Sequence, residues 1–133
     1  MNKAQLKAFQ KKGLRVHIAS ELEPLRRVST GIITLDTAIN GGIPLGSVTI
    51  VQGRHATTKS ALCYKIAGNA SQMLSKPPAI IHSEIRFEYS ADWAMACGLP
   101  DDTIIFTESR LNTALDLALE LIKSGEISCL IID

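Results

Sequence analysis

Gly53-Arg54-His55-Ala56-Thr57-Thr58-Lys59-Ser60 lies between an apolar run, Val48-Thr49-Ile50-Val51, and a helical pattern that begins near Lys59. A strand, a tight turn and a helix start, in that order, suit a bound anion, because main-chain N–H groups and the positive end of the helix meet at one spot. The interval from Gly53 to Lys59-Ser60 fits the phosphate-binding pattern GxxxxGK(S/T), with Thr58 standing at its second glycine. In that reading Gly53 permits the sharp exit from the strand. The main chain of Arg54, His55, Ala56, Thr57 and Thr58 then wraps the phosphates, Lys59 reaches the β/γ-phosphates, and the Ser60 hydroxyl completes the shell of a Mg²⁺ ion. The same stretch also fits an ordinary helix start with Thr57 or Thr58 as N-cap, and a loop residue such as His55 can simply face solvent.

The 133 residues suffice for one domain with a moderate core, and 46% hydrophobic with 5% aromatic residues describes an aliphatic α/β protein. No apolar stretch reaches the roughly 18 residues of a membrane helix. The polar, basic N-terminus has no hydrophobic signal segment, so a cytoplasmic location is expected. Cys63, Cys97 and Cys129 are widely spaced in apolar settings without a CxxC pair, which reads as buried thiols rather than a disulfide or zinc framework. Charge is uneven. Residues 1–27 hold seven Lys/Arg against two Glu, a net +5, whereas residues 28–133 hold seven against eleven, a net −4. A basic arm ahead of an acidic body suits docking on another subunit or on nucleic acid, and equally a solvated helix face.

Taken in order, residues 2–12 place Leu6 and Phe9 at a helical interval, and residues 14–18 alternate as a short strand would. After Ser29-Thr30-Gly31, the residues Leu35, Ala38 and Ile39 predict a short helix ending at Asn40-Gly41-Gly42; Ile43-Pro44-Leu45-Gly46 then turns into a central strand at 47–52. Leu62, Ile66, Ala67, Ala70, Met73 and Leu74 predict a helix over 59–74, stopped by Pro77-Pro78. A strand at 79–82, a helix at 90–97, a strand at 103–106, a helix over 111–122 ended by Gly125 and an apolar strand at 128–132 follow. Strands apolar on both faces and alternating with helices imply a mostly parallel sheet flanked by helices. Ligands of such sheets sit beyond the carboxyl ends of the strands, which selects 53–60, Ser83-Glu84, Thr107-Glu108 and Asp133. Asp133 is placed to hold Mg²⁺ opposite Ser60, and Glu84 to activate water; taken singly, each could be a plain turn or surface carboxylate.

Val28-Ser29-Thr30-Gly31, Leu35-Asp36, Gly41-Gly42-Ile43-Pro44-Leu45-Gly46, the 53–60 loop, Glu84, Gly98 and Leu130-Ile131-Ile132-Asp133 together resemble the ATPase core of RecA-family recombinases. They stand in that family's order, near its spacings, over about residues 28–133, with the basic arm of 1–27 resembling the segment that packs on the adjacent subunit of a filament. The Gly-Gly-Ile-Pro-Leu-Gly run is also shared with the archaeal RadA and KaiC-like branches. The resemblance implies a RecA-like P-loop NTPase core, ATP and Mg²⁺ as ligands, Lys59 and Ser60 at ATP-Mg²⁺, Glu84 as catalytic base and Asp133 as the Walker B acid. It also implies an aromatic ring against adenine, for which Trp93 and Tyr89 compete with each other and with plain core packing. Filament formation on single-stranded DNA in homologous recombination and repair is the implied function.

Two departures stand out. Thr58 puts a β-branched side chain where the main chain approaches phosphate closely. The family's DNA-binding loops, γ-phosphate sensor and later strands lie beyond the position of Asp133, so a fragment of a longer recombinase is expected, with an unpaired edge at its last strand. A non-hydrolysing relative that senses nucleotide or serves as an interaction module is the alternative.

Overall fold

The structure, a computed structural model, describes residues 3–55, 57–83 and 91–133. Its centre is β3 (Ala79–His82), all four residues of which are buried. Strand β4 (Ile104–Thr107) and strand β5 (Leu130–Ile132) flank it in the order β4-β3-β5, both parallel to it. Because side chains alternate along a strand, β3 feeds two cores. Ile80 packs with Ile131 and with Tyr64 and Ala67 of α3 (Lys59–Leu74), joined by Ala94 of α4 (Ala91–Ala96) and Leu99. Ile81 packs on the opposite face with Ala114 and Ala118 of α5 (Leu111–Ser124), against Phe106, Leu117, Leu121 and Leu130. Helices on both faces explain why β3 reads as an unbroken apolar run up to His82.

Ahead of this layer lie α1 (Lys3–Lys11), a single 3₁₀ turn at Ala19–Glu21, β1 (Arg27–Val28), α2 (Ile33–Ala38) and β2 (Ile43–Pro44). The residues read as a turn, Ile43 and Pro44, pair antiparallel with Val28 and Arg27. Asn40, Gly41 and Gly42 end α2 with φ of 60°, 99° and 115°. Gly42 has no alternative, since a Cβ there would lie 2.1 Å from the Val28 carbonyl oxygen.

Two predicted strands are corrected. Residues 14–18 join no ladder among the described residues, and neither do residues 47–52, the expected central strand. Val48 and Ile50 are 92% and 79% exposed. Strand propensity measures fit to a pleated, half-buried surface, and an apolar run becomes a strand only where a neighbour offers its edge. No described segment pairs with 47–52, and β5 is bonded to β3 on one side only.

The cysteines are half-buried rather than fully buried thiols. Cys63, Cys97 and Cys129 pack on the α3-side core and are free. Burial, with the neighbouring Cys63 adding to it, pushes the Cys129 thiol from its ordinary 9.0 up to about 11. Cys63 is also raised, by burial first and by Asp133 second. A thiol harder to ionise when folded contributes stability that is complete below its unfolded value and is lost as pH rises through the folded one. Urea titrations should therefore show stability falling between about pH 9 and about pH 11. Cys129→Ala should remove most of that slope, and an unchanged slope would assign it elsewhere.

Candidate functional site

Helix α3 begins at the carboxyl end of the sheet. Its first internal hydrogen bond runs from the Leu62 N–H to the Thr58 carbonyl at 3.1 Å, so the N–H groups of Lys59, Ser60 and Ala61 precede any intrahelical acceptor. Thr58 occupies the N-cap position yet makes no side-chain cap. Its φ of 60° and ψ of 20° are left-handed, a region costly for a β-branched residue, and its hydroxyl donates to the Thr57 carbonyl at 2.6 Å. The ordinary N-cap reading thus fails at Thr58: the residue holds the loop in a glycine's conformation and leaves the helix end open.

The loop is tied from within. The Arg54 carbonyl accepts from the Thr57 hydroxyl at 2.6 Å and from the Lys59 ammonium at 2.8 Å. A Cβ on Gly53 would stand 2.8 Å from the Thr57 hydroxyl oxygen, which would have to turn away from the Arg54 carbonyl to make room. Lys59 therefore spans the loop it would share with an anion, while Arg54 and His55 are exposed.

Across the sheet, the Ser60 hydroxyl donates to the Asp133 carboxylate at 3.1 Å, joining residues 73 apart in sequence. Two ladders place the acid: the Asp133 N–H donates to the Ile81 carbonyl at 3.1 Å, and the Asp133 carbonyl accepts from the Ser83 N–H at 2.9 Å. A hydroxyl and a carboxylate are the hard oxygen donors that Mg²⁺ takes, alongside its waters and a phosphate. Among the described residues no cluster of three His, Cys, Asp or Glu offers a complete protein cage. The residue pair thus fits a cation shared with phosphate rather than one held by protein alone.

Other candidates are spread wider. Trp93 is 49% exposed, its ring edge-on to Tyr64 at 5.8 Å and 75°, so it is partly core and partly accessible. Glu108 accepts from the Arg110 guanidinium at 3.2 Å and from the Arg110 main-chain N–H at 2.8 Å, contacts that lower the pKa of its carboxyl. Ala56, Glu84 and Tyr89 lie outside the described residues.

Sequence reasoning missed what Asp36 does. Its carboxylate accepts from the Ser29 hydroxyl at 2.5 Å, the Thr30 hydroxyl at 2.6 Å and the Thr30 N–H at 2.8 Å, and the Ser29 bond above all keeps its pKa down. Asn69 on α3 donates to the Ser29 carbonyl at 2.8 Å, so this network fastens β1 and α2 to the helix that starts at the loop. The Ser-Thr-Gly spacing to Leu35-Asp36 was the available signal.

The RecA N-terminal domain family matches residues 3–133, nearly the whole chain. The chain belongs to that family. Similar proteins include "Protein RecA" of Saccharopolyspora erythraea, 29% identical over 98% of this chain and 38% of that protein. "Protein RecA" of Mycobacterium avium is 29% identical over 98% of this chain and 37% of its own length. "Protein RecA" of Phytoplasma mali is 33% identical over 84% of this chain and 32% of its own. The chain thus spans under two-fifths of these curated relatives. The parallel three-stranded sheet flanked by helices is consistent with a RecA-like fold. No helix among the described residues is long and apolar enough to cross a membrane.

Proposed function

We propose that this RecA-family chain is the ATP- and Mg²⁺-binding part of a cytoplasmic DNA recombinase that assembles on single-stranded DNA for homologous recombination and repair. The observation that carries the reading is the 3.1 Å contact between Ser60, at the start of α3, and Asp133, at the end of β5. In this reading the loop from Gly53 to Ser60 is a P-loop whose main chain and Lys59 hold the phosphates, with Ser60 and Asp133 flanking the cation as the Walker A and Walker B side chains. A Mg²⁺ bound there supplies positive charge to the phosphate oxygens. Glu84 orients a water for in-line attack on the γ-phosphate, and Trp93 or Tyr89 stacks on adenine. Residues 1–27 form the arm that contacts the next subunit and residues 28–133 the core. Apolar residues left outside both cores support such assembly: Leu14, Leu22 and Leu25 on the arm and Leu111, Leu115, Leu119 and Ile122 at helical spacing on α5 are exposed.

Titration with a fluorescent ATP analogue, with and without Mg²⁺, tests the reading. Saturable binding that Mg²⁺ strengthens supports it, and no binding in either condition overturns it. A second reading, a nucleotide-binding module that does not hydrolyse, is favoured by Thr58 in its left-handed conformation. Phosphate release with and without single-stranded DNA separates the two. Thr58→Gly should relieve the strain, raising stability by about 1 kcal/mol in denaturant titrations, and should keep or tighten nucleotide affinity. A tenfold weakening would show that the loop is not a phosphate cradle of this geometry.

A further inference from the structure

Helix α2 ends in a closed cap whose left-handed residue is not a glycine. Beyond the C-cap residue Ile39, the Gly41 N–H donates to the Asp36 carbonyl at 2.6 Å and the Asn40 N–H to the Thr37 carbonyl at 3.4 Å, the two bonds of a Schellman motif. Asn40 takes the left-handed position with φ of 60°, a place asparagine fills next best to glycine, and Gly41 follows at 99°. Arg27 straps the turn from outside. Its guanidinium donates to the Ile39 carbonyl at 3.2 Å and to the Gly42 carbonyl at 2.9 Å, on either side of the pair.

An asparagine followed by glycine carries its own reaction. The glycine main-chain nitrogen, with no side chain to shield it, attacks the asparagine side-chain carbonyl carbon. Its proton passes to solvent base, the new N–C bond closes a five-membered imide, and ammonia leaves. Water then opens the ring at either carbonyl, giving aspartate or isoaspartate. Of the chain's asparagines only Asn40 precedes a glycine, and it is exposed. In the folded turn, however, the nitrogen that must attack is the one held 2.6 Å from the Asp36 carbonyl.

We propose that Asn40-Gly41 is a self-modification site kept shut by the cap of α2 and the Arg27 strap. Attack follows only when the cap opens and frees the Gly41 nitrogen. Isoaspartate, whose main chain runs through the former side chain and is longer by a carbon, does not reclose the cap. Nor is there slack beyond it: a Cβ on Gly42 would meet the Val28 carbonyl oxygen at 2.1 Å, and Ile43 pairs with Val28 in the ladder of β1 and β2. The modification therefore makes openings of the β1, α2 and β2 unit permanent.

The full chain, kept in mildly alkaline buffer with and without guanidinium chloride, tests this by peptide mapping of isoaspartate at position 40. In denaturant the product should accumulate faster there than at Asn112, whose neighbour is Thr113. Without denaturant it should form at least about tenfold more slowly, because an opening step precedes each attack. Arg27→Ala should raise the native rate several-fold and leave the denatured rate unchanged. Should Arg27→Ala not fold, hydrogen exchange at Gly41 of the wild type gives an equivalent comparison: its protection should match the slowing of deamidation within about threefold. No product in denaturant, equal native and denatured rates, a folded Arg27→Ala chain no faster than the wild type, or a mismatch with exchange of about tenfold or more would each overturn the proposal.

Discussion

Lys59→Ala is expected to weaken ATP binding at least about 100-fold while the chain keeps its fold. The ammonium lies 2.8 Å from the Arg54 carbonyl, across the mouth of the loop and beside the open end of α3. A cation held there by a neutral carbonyl is poised to exchange that partner for a phosphate oxygen, a stronger, charge-assisted acceptor. Hydrogen bonds to charged groups contribute about 1.5–3 kcal/mol each. Loss of two such bonds, at about 1.4 kcal/mol per tenfold, gives the predicted factor. The cost to stability should be small, because the Lys59–Arg54 bond is exposed and water takes the ammonium's place on the freed carbonyl. Lys59→Arg should recover part of the affinity, since charge returns without the compact ammonium geometry. Fluorescent-ATP titration of the three proteins, with circular dichroism as the fold control, decides it. Equal affinity in the wild type and Lys59→Ala would mean that the loop does not meet phosphate charge.

The elements that carry this prediction were legible because periodicity records burial on two faces. Ile80 and Ile81 serve opposite cores, which makes β3 a continuous apolar run, and α5 buries Ala114 and Ala118 one turn apart. Residues 47–52 have the same composition as a buried strand but no partner among the described residues, so the sequence could not reveal that they stay out of the sheet. Ser60 and Asp133 could be paired in advance because strand ends of a parallel sheet gather ligands at one edge. The left-handed backbone at Thr58 could not be foreseen, since nothing in threonine favours it; the loop imposes it. The Asp36 network was similarly hidden, because its three bonds depend on a bend at Gly31, where φ is 78°.

Gly68→Ala should destabilise the chain by about 2–4 kcal/mol, although alanine is the better helix former by about 1 kcal/mol. Gly68 sits in the third turn of α3, where the helix meets the connection that follows α4. A Cβ there would lie 2.1 Å from the Gly98 carbonyl oxygen and 3.3 Å from its carbonyl carbon. Both are main-chain atoms, so no side-chain rotation relieves the clash. Nor can the connection easily yield: Gly98 has φ of 106° and its N–H is bonded to the Met95 carbonyl at 2.9 Å, while Leu99 is committed to the core. The remaining outlet is a shift of α3 away from the turn, which loosens Tyr64 and Ala67 against Ile80 and Ile131. That shift would reach the helix start and lengthen the Ser60–Asp133 contact, so the Mg²⁺-dependent part of ATP affinity should fall together with stability. Urea unfolding monitored by circular dichroism measures the first effect and nucleotide titration the second. A Gly68→Ala chain as stable as the wild type would show that the two backbones are not pressed together. A stable loss of one function without the other would separate the seat of α3 from the geometry of the site.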